Sequence, residues 1–349
     1  MHLRKIGIWG QFGDGGKIAD GQAVRTTIIT HELQLRYGLE NVAVVNTNGW
    51  KKHPVKFLCE SFNLVSKSEK VLIAPADNGY KVFVPLLLFF NFFYGRDLIH
   101  IVIGGFLPAL LKDKPRYLKM ENKFSAVFVQ TVNLQKDLQK IGVRNIYISS
   151  NPKRLHRREL SDLHIWDEKN LKVCVFSRLN KDKGVAEAVE AVRLANIDLG
   201  GNYIHLDLYG LIQPGYENWL NDLISRNVDI VEYKGIIDYD KTVESLQQYF
   251  VMLFPTYYYG EGLPGNVVDA YNTGLPIIAT DWLYNKDVIE DGRNGILVPI
   301  KNARAIADAI IALYKDRNLH FVYSKNCLED AKGYDPDVVL KDLYMVIDR

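Results

Sequence analysis

The sequence predicts an α/β protein made of two doubly wound parallel sheets, and three observations lead there. Short apolar runs alternate with helical patterns from one end of the chain to the other, which is the βα alternation of a parallel sheet. The alternation breaks at a charged, proline-bearing stretch over 151–166 and then starts again. The 349 residues also exceed the ~250 at which a single core stops growing.

In the first half, strands are expected over 5–9, 42–46, 98–103, 126–130 and 145–148, with a glycine-rich loop and a helix over 21–37 after the first. In the second half they are expected over 171–177, 203–209, 230–234, 250–254, 276–280 and 295–299. Helical patterns lie between them at 185–195, 217–226 and 241–248. A further helix starts near Pro264 or Gly265, where proline suits the first turn, and stops at Thr273-Gly274. The domains are placed at 1–160 and 161–330, with a terminal helix over 331–349. Two such halves leave a cleft, and ligands of these sheets bind outside the carboxyl ends of the strands. The loops that follow strands are therefore where chemistry is expected.

A composition of 48% hydrophobic and 24% charged residues is that of a soluble globular protein. Cys59, Cys174 and Cys327 are far apart and form no CxxC pair, so neither a disulfide framework nor a zinc site is indicated. The N-terminus enters a strand-like run without the long apolar segment and cleavage site of a secretory signal, so a cytoplasmic location is expected. The net charge of +2 hides an asymmetry: residues 1–160 carry 24 Lys/Arg and 12 Asp/Glu, against 19 and 29 in the rest. A net +12 half beside a net −10 half is compatible with an anionic partner for the first, or simply with unevenly solvated faces.

Residues 81–95, KVFVPLLLFFNFFYG, form an almost unbroken apolar and aromatic run, too short to span a bilayer as a helix. The run is therefore core or interfacial. Arg96, Lys112, Lys114, Arg116, Lys119 and Lys123 follow it, and apolar surface beside cations is what holds a protein on an anionic leaflet.

The loop over 10–22 lacks the last glycine or alanine of GxGxxG, and the second strand ends in Asn46 rather than an acidic residue, which argues against a nicotinamide dehydrogenase. The loop still lets backbone approach an anion closely. In the second half, RLNKDKG over 178–184 follows a strand. The planar guanidinium of Arg178 and the ammonium of Lys183, with Lys181 as a rival, suit a diphosphate, although a solvated turn would read the same way. After the 250–254 strand, PTYYYGEGLPGN leads to a helix whose free N–H groups and dipole would favour an anion. Glu261 can accept from ligand hydroxyls and Asp269 can bind a vicinal diol. The plain alternative makes Glu261 a helix-terminus charge and Asp269 an exposed one.

These motifs carry a resemblance. Arg-Leu-x3-Lys-Gly over 178–184, Gly210, Lys-Gly-Ile-Ile at 234–237, Pro-Thr-x4-Glu-Gly-Leu-Pro-Gly-x3-Asp-Ala over 255–270, Gly-Leu-Pro-Ile-Ile-Ala-Thr over 274–280 and Asp-Gly-x-Asn-Gly-Ile-Leu-Val over 291–298 resemble the retaining GT-B glycosyltransferases of family 4. In the first half the resemblance rests on Gly15-Gly16 and strand order. Ala-Asp-Gly-Gln and Ala-Thr-Asp-Trp narrow it to enzymes of bacterial capsule or other surface polysaccharide assembly.

The resemblance implies two Rossmann-like domains facing each other, acceptor-binding over 1–160 and donor-binding over 161–330, with a terminal helix able to cross back. It implies transfer from a UDP- or GDP-sugar, with Glu261, Arg178 and Lys183 as catalytic groups. Gly15, Gly16, Gly210, Ile237, Gly262, Leu263, Pro264, Gly265, Asn266 and Asp269 would bind the donor, and Gly104 and Gly105 would lie by the acceptor. Asp269 stands where the family has Glu, one methylene longer, and Pro264 where it has glycine, with no N–H. No cofactor or divalent metal is expected, and no nucleic-acid partner. The acceptor is expected to be a saccharide or lipid-linked saccharide at the inner membrane face. A nucleotide-sugar epimerase of the same architecture, or a non-catalytic partner subunit, are the alternatives. The epimerase would want more acid/base residues, and the subunit would be expected to lose Arg178, Lys183 or Glu261.

Overall fold

The computed structural model describes residues 3–13, 21–163, 165–166 and 169–349. The chain forms two units, Met1–Lys153 with Asp335–Arg349, and Arg154–Tyr334. Each is built on a six-stranded parallel sheet among the described residues.

In unit 1, strands β1 (Arg4–Gly10), β2 (Val42–Asn46), β3 (Ser68–Ala74), β4 (Asp97–Ile101), β5 (Ala126–Val129) and β6 (Ile146–Ile148) are ordered β2-β1-β3-β4-β5-β6. β3 is absent from the sequence expectation because it opens on Ser-Glu-Lys and holds only a four-residue apolar run. It nonetheless pairs along its length with β1, at Gly7↔Val71 and Ile8↔Leu72. β5 is buried at all four positions, as a continuous apolar run must be when both sheet faces are covered. One face packs Ile6, Ile8, Leu72, Ile99 and Phe128 against Ile29 and Leu33 of the helix Gly21–Tyr37 and Leu343, Val346 and Ile347 of the terminal helix Lys341–Asp348. On the other face Trp9, 0% exposed, packs against the tilted rings of Phe57 and Phe83 and stacks with Phe90, from the helices Pro54–Ser66 and Asp77–Asn91. The terminal helix is pinned at its end, where Asp348 pairs with Lys5 at 2.7 Å and Arg36 at 3.3 Å and accepts from Tyr37 Oη at 3.0 Å.

The 81–95 run divides between the two expectations for it. Phe83, Val84, Leu87 and Phe90 are core, while Val82, Phe89, Phe92 and Phe93 are exposed. No helix among the described residues is long and apolar enough to cross a membrane.

In unit 2, strands β7 (Leu171–Phe176), β8 (Ile204–Tyr209), β9 (Val231–Gly235), β10 (Val251–Phe254), β11 (Ile277–Thr280) and β12 (Gly295–Val298) are ordered β12-β11-β10-β7-β8-β9. β10 and β11 are buried throughout. The helix Val185–Leu199 packs Ala188, Val189 and Val192 against Val173, Val175 and Leu206 of the sheet.

Candidate functional site

Unit 2 enters its sheet at β7, adds β8 and β9 on one side, then returns to add β10, β11 and β12 on the other. β7 and β10 are thus neighbours, paired at Val173↔Val251 and Cys174↔Met252, and the strand order reverses between them. At such a switch point the loops leaving the two carboxyl ends diverge and open a crevice. The loop after β7 is 177–184 and the loop after β10 is 255–264. These are the two segments that the sequence singled out.

The first loop is braced from within. Leu179, fully buried, donates from its N–H to Leu211 O at 2.9 Å and accepts from Gln213 N at 3.0 Å. Asn180 caps the 3-10 turn Lys181–Lys183: its Oδ1 accepts from Lys183 N at 3.0 Å and its Nδ2 donates to Gln213 Oε1 at 2.7 Å. Two glycines make the close approaches possible. Gly184 has φ +71°, and a Cβ there would lie 2.2 Å from Pro255 O, so this turn rests directly on the second loop. Gly210 has φ +131°, and its Cβ would lie 1.8 Å from Ser177 O. No other residue fits either position without moving backbone. The contact between loops is completed by Tyr257 N donating to Asp182 O at 2.8 Å.

Across this junction Lys183 Nζ meets Glu261 Oε2 at 2.5 Å. The same Oε2 accepts from Thr256 Oγ1 at 2.8 Å. Glu261 is 7% exposed and Thr256 0%. A buried carboxylate survives only when paired and hydrogen-bonded, and both conditions are met here. The Lys183 ammonium also lies 5.0 Å from the Tyr258 ring centroid. Trp282 Nε1 donates to Tyr258 O at 2.8 Å and holds that segment. Burial first, and then neighbouring Tyr259, push the Tyr258 phenol up to about 12, while the nearby Arg178 charge pulls it back. Tyr258 therefore stays a neutral donor at pH 7. Arg178 itself is exposed, as is Lys181, whereas Lys183 is drawn inward by Glu261.

The helix Gly265–Thr273 starts one residue later than a first-turn proline would place it. Pro264 is its N-cap, extended at φ −71° and ψ 127°, and no side chain caps it. Glu261 is therefore not a helix cap. Because Pro264 precedes the helix, its missing N–H removes nothing from the first turn. Val267 N turns back to Pro264 O at 3.2 Å, while the N–H groups of Gly265 and Asn266 have no earlier turn to bond. Asn266 Nδ2 donates to Phe176 O, tying this helix terminus to the end of β7. The anion-attracting end of the helix is thus fixed at the carboxyl edge that bears Arg178 and Lys183. Asp269 lies one turn along on the same helix and is 3% exposed, which excludes a stray surface charge. Gly262, Leu263 and Pro264 are buried around Glu261 in sequence, and Gly274 ends the helix in the left-handed region at φ 66°.

Ile237 is half-buried and packs, with Phe176 and Tyr209, against the core that includes Met252 and Phe254. In unit 1, Gly104 has φ +78° and donates from its N–H to Gln130 Oε1 at 3.1 Å, and Gly105 is half-buried beside it. Gly15 and Gly16 lie outside the described residues. Sequence reasoning assigned no role to Asn180, Thr256, Tyr258 or Trp282. Of these, only Asn180 left a local signal, an Asn three residues before the lysine whose N–H it caps. A small cavity lined by Arg158, Trp166, Tyr249, Gly274 and His320 lies at the other end of the helix, away from the strand ends where such sheets bind ligands.

Residues 170–316 match the family model for glycosyl transferases group 1. The chain is 24% identical over 266 residues to the N,N'-diacetylbacillosaminyl-diphospho-undecaprenol alpha-1,3-N-acetylgalactosaminyltransferase of Campylobacter jejuni, an alignment covering 73% of this chain and 66% of that one. It is 31% identical over 161 residues to the GtfA subunit of the Streptococcus pneumoniae UDP-N-acetylglucosamine–peptide N-acetylglucosaminyltransferase, covering 45% of this chain and 30% of that one. The match thus spans two-thirds or less of these relatives' own length. In fold, the Anabaena protein HepE, solved with UDP, superposes with a TM-score of 0.74 at 16% identity, covering 98% of this chain and 99% of its own. Sucrose-phosphate synthase of Thermosynechococcus elongatus gives 0.75 at 14% identity, covering 98% of both chains. The chain thus has the GT-B fold, two units each built on a six-stranded parallel sheet among the described residues, and over 170–316 it matches the glycosyl transferases group 1.

Proposed function

We propose that the protein is a retaining glycosyltransferase that moves a sugar from a nucleoside-diphosphate sugar to a hydroxyl of a saccharide or lipid-linked saccharide in bacterial surface polysaccharide assembly. The observation that carries this reading is the Lys183–Glu261 pair at the switch point, with the helix terminus tied to the same strand end. One cation and one carboxylate, both largely withdrawn from water, stand where a diphosphate and the hydroxyls of its sugar need opposite partners.

In the proposed reaction the bond between the anomeric carbon and the diphosphate oxygen breaks, and the acceptor oxygen bonds to that carbon on the same face. The acceptor's proton passes to the departing phosphate oxygen, so the products are a glycoside and a nucleoside diphosphate. Charge grows on the leaving diphosphate, and Arg178, Lys183 and the first-turn amides of the helix Gly265–Thr273 are placed to stabilise it. These groups supply the charge that a divalent ion supplies elsewhere, so activity is expected to persist in EDTA. Glu261 orients the sugar through its hydroxyls and Asp269 takes the ribose. Unit 1 is proposed to hold the acceptor near Gly104 and Gly105. The finer placement draws on the C. jejuni relative, whose name specifies a diphospho-undecaprenol substrate.

The test is Glu261→Gln, assayed by mass spectrometry of acceptor incubated with candidate sugar nucleotides. Transfer should fall by about 10²-fold or more, the usual scale for removing a positioning or charge-stabilising contact. Near-normal turnover in the variant, or an inverted anomer by NMR, would overturn the assignment.

A further inference from the structure

We propose that unit 1 docks on an anionic membrane surface through one composite apolar face built from the helices Pro54–Ser66 and Asp77–Asn91 and the turn after the second. This surface is separate from the residues assigned to transfer.

The face is made by the registers of two amphipathic helices whose second sides stay in water. On Asp77–Asn91, Phe83, Leu87 and Phe90 point into the core, while Val82 and Phe89 are exposed, with Pro85 and Leu86 half-buried between them. On Pro54–Ser66, Phe57, Ser61 and Leu64 are buried, while Val55, Leu58 and Phe62 are exposed at 72%, 41% and 41%. The helices meet through Phe57–Phe83 at 5.6 Å and Phe62–Phe90 at 5.5 Å, so the two exposed stripes adjoin. Beyond the second helix the chain turns at 92–94 and thrusts out Phe92, 84% exposed, and Phe93, 60% exposed, with Phe89 packed edge-on to Phe93 at 5.6 Å. A continuous apolar patch of this kind marks an interaction surface rather than scattered surface hydrophobes.

Charge and shape select the occupant. The carboxylates on the two helices, Glu60 and Asp77, are matched one turn away by Lys56 and Lys81. What remains over 51–66 and 77–96 is cationic: Lys51, Lys52 and Arg96. Two of these cations, Lys51 and Arg96, adjoin an amphipathic aromatic at the edge of the face. Lys51 lies 6.0 Å from the Trp50 ring and Arg96 5.6 Å from the Tyr94 ring. Trp50 packs onto Phe83, and Tyr94 onto Phe62, at 5.7 and 5.4 Å. An apolar centre bounded by Trp and Tyr with Lys and Arg beside them is the arrangement that sits at the boundary of headgroups and acyl chains. The protruding Phe92–Phe93 tip suits a soft, penetrable surface better than the flat, self-complementary patch of a two-fold dimer.

The test is sedimentation of the full chain with vesicles of equal phosphatidylglycerol and phosphatidylcholine, and with pure phosphatidylcholine, at low and high salt. Binding should be selective for the anionic vesicles and fall with salt, as a cation-assisted surface requires. Phe89→Ser/Phe92→Ser/Phe93→Ser should lower partitioning at least about tenfold. These positions are exposed, so the variant should melt like the wild type. Lys51→Glu/Lys52→Glu should reduce binding to anionic vesicles only. Absence of sedimentation, equal binding to both vesicle types, or an unchanged aromatic variant would each overturn the proposal. So would a dimer in analytical ultracentrifugation that the aromatic variant dissolves while vesicles are ignored, because a second copy would then cover the face. The assay needs no turnover, so it fails independently of the transfer reaction.

Discussion

Removing Lys183 separates what the site contributes to the fold from what it contributes to chemistry. At 2.5 Å and an effective dielectric of about 20, the Lys183–Glu261 attraction is ~7 kcal/mol before either ion's desolvation is subtracted. Because the side chains are only 12% and 9% exposed, that desolvation takes back most of it, and the intact pair contributes little net stability. Breaking it is different. Lys183→Met leaves Glu261 buried with the Thr256 hydroxyl as its remaining bond among those described above, and the expected cost is about 3 kcal/mol. For a unit of this size that lowers Tm by roughly 6–12 °C. Glu261→Gln should cost somewhat less, since its amide oxygen still accepts from Thr256 and Lys183. The double variant Lys183→Met/Glu261→Gln should fall within about 1 kcal/mol of wild type, giving a coupling energy of at least about 2 kcal/mol. Urea melts of the four proteins followed by far-UV circular dichroism measure this. The double variant should fold yet transfer no sugar. If Lys183→Met melts within a degree of wild type, or if the two single effects simply add, the buried-pair argument is wrong.

Three further expectations rest on independent features. Gly210→Ala forces a Cβ to 1.8 Å from Ser177 O at φ +131°, so it should destabilise unit 2 by roughly 3 kcal/mol or more, and a melt unchanged within 1 °C would contradict it. In unit 1, Arg25 is 3% exposed and donates to Val102 O and Ser149 O, each at 2.6 Å, bracing the loops after β4 and β6. Burial pulls its guanidinium down to about 9, still charged at pH 7, and Arg25→Met should cost about 2–4 kcal/mol by stranding two buried carbonyls, measurable in the same melts. Asp348 is held below the usual carboxylate range, chiefly by the Lys5 hydrogen bond. Its folded value being depressed, it stabilises unit 1 above the unfolded value of about 4 and loses that contribution as pH falls through the folded one. With the side chain 40% exposed the effect is below about 1 kcal/mol, so Asp348→Asn should cost that at pH 7 and progressively less as pH falls below about 4.

Most of the fold was legible because parallel strands buried on both faces write themselves as short apolar runs. β5, β10 and β11 are such runs, and β2 and the helix Gly21–Tyr37 begin and end where pattern placed them. β3 escaped because its outer half is polar, although β1 and β4 cover it on either side. The site was legible in part for a related reason. Motifs report loops, and 178–184 and 255–264 are loops. What joins them is not local: the Lys183–Glu261 bond spans 78 residues, and nothing near either residue announces it. Asp269 shows the same limit. On a helix of unknown orientation it could be solvated, and only packing shows it withdrawn from water. The 81–95 run was legible as apolar but not as two-sided, since both of its faces are hydrophobic and periodicity cannot tell them apart.

The proposed diphosphate site is formed by Arg178, Lys183 and the terminus of the helix Gly265–Thr273. Titration calorimetry with UDP and GDP tests it most directly. One of them should bind the wild type, and Arg178→Ala and the well-folded Lys183→Met/Glu261→Gln protein should each bind it at least about tenfold more weakly, the loss expected for one charge-assisted contact. Equal affinity in wild type and variants would contradict it.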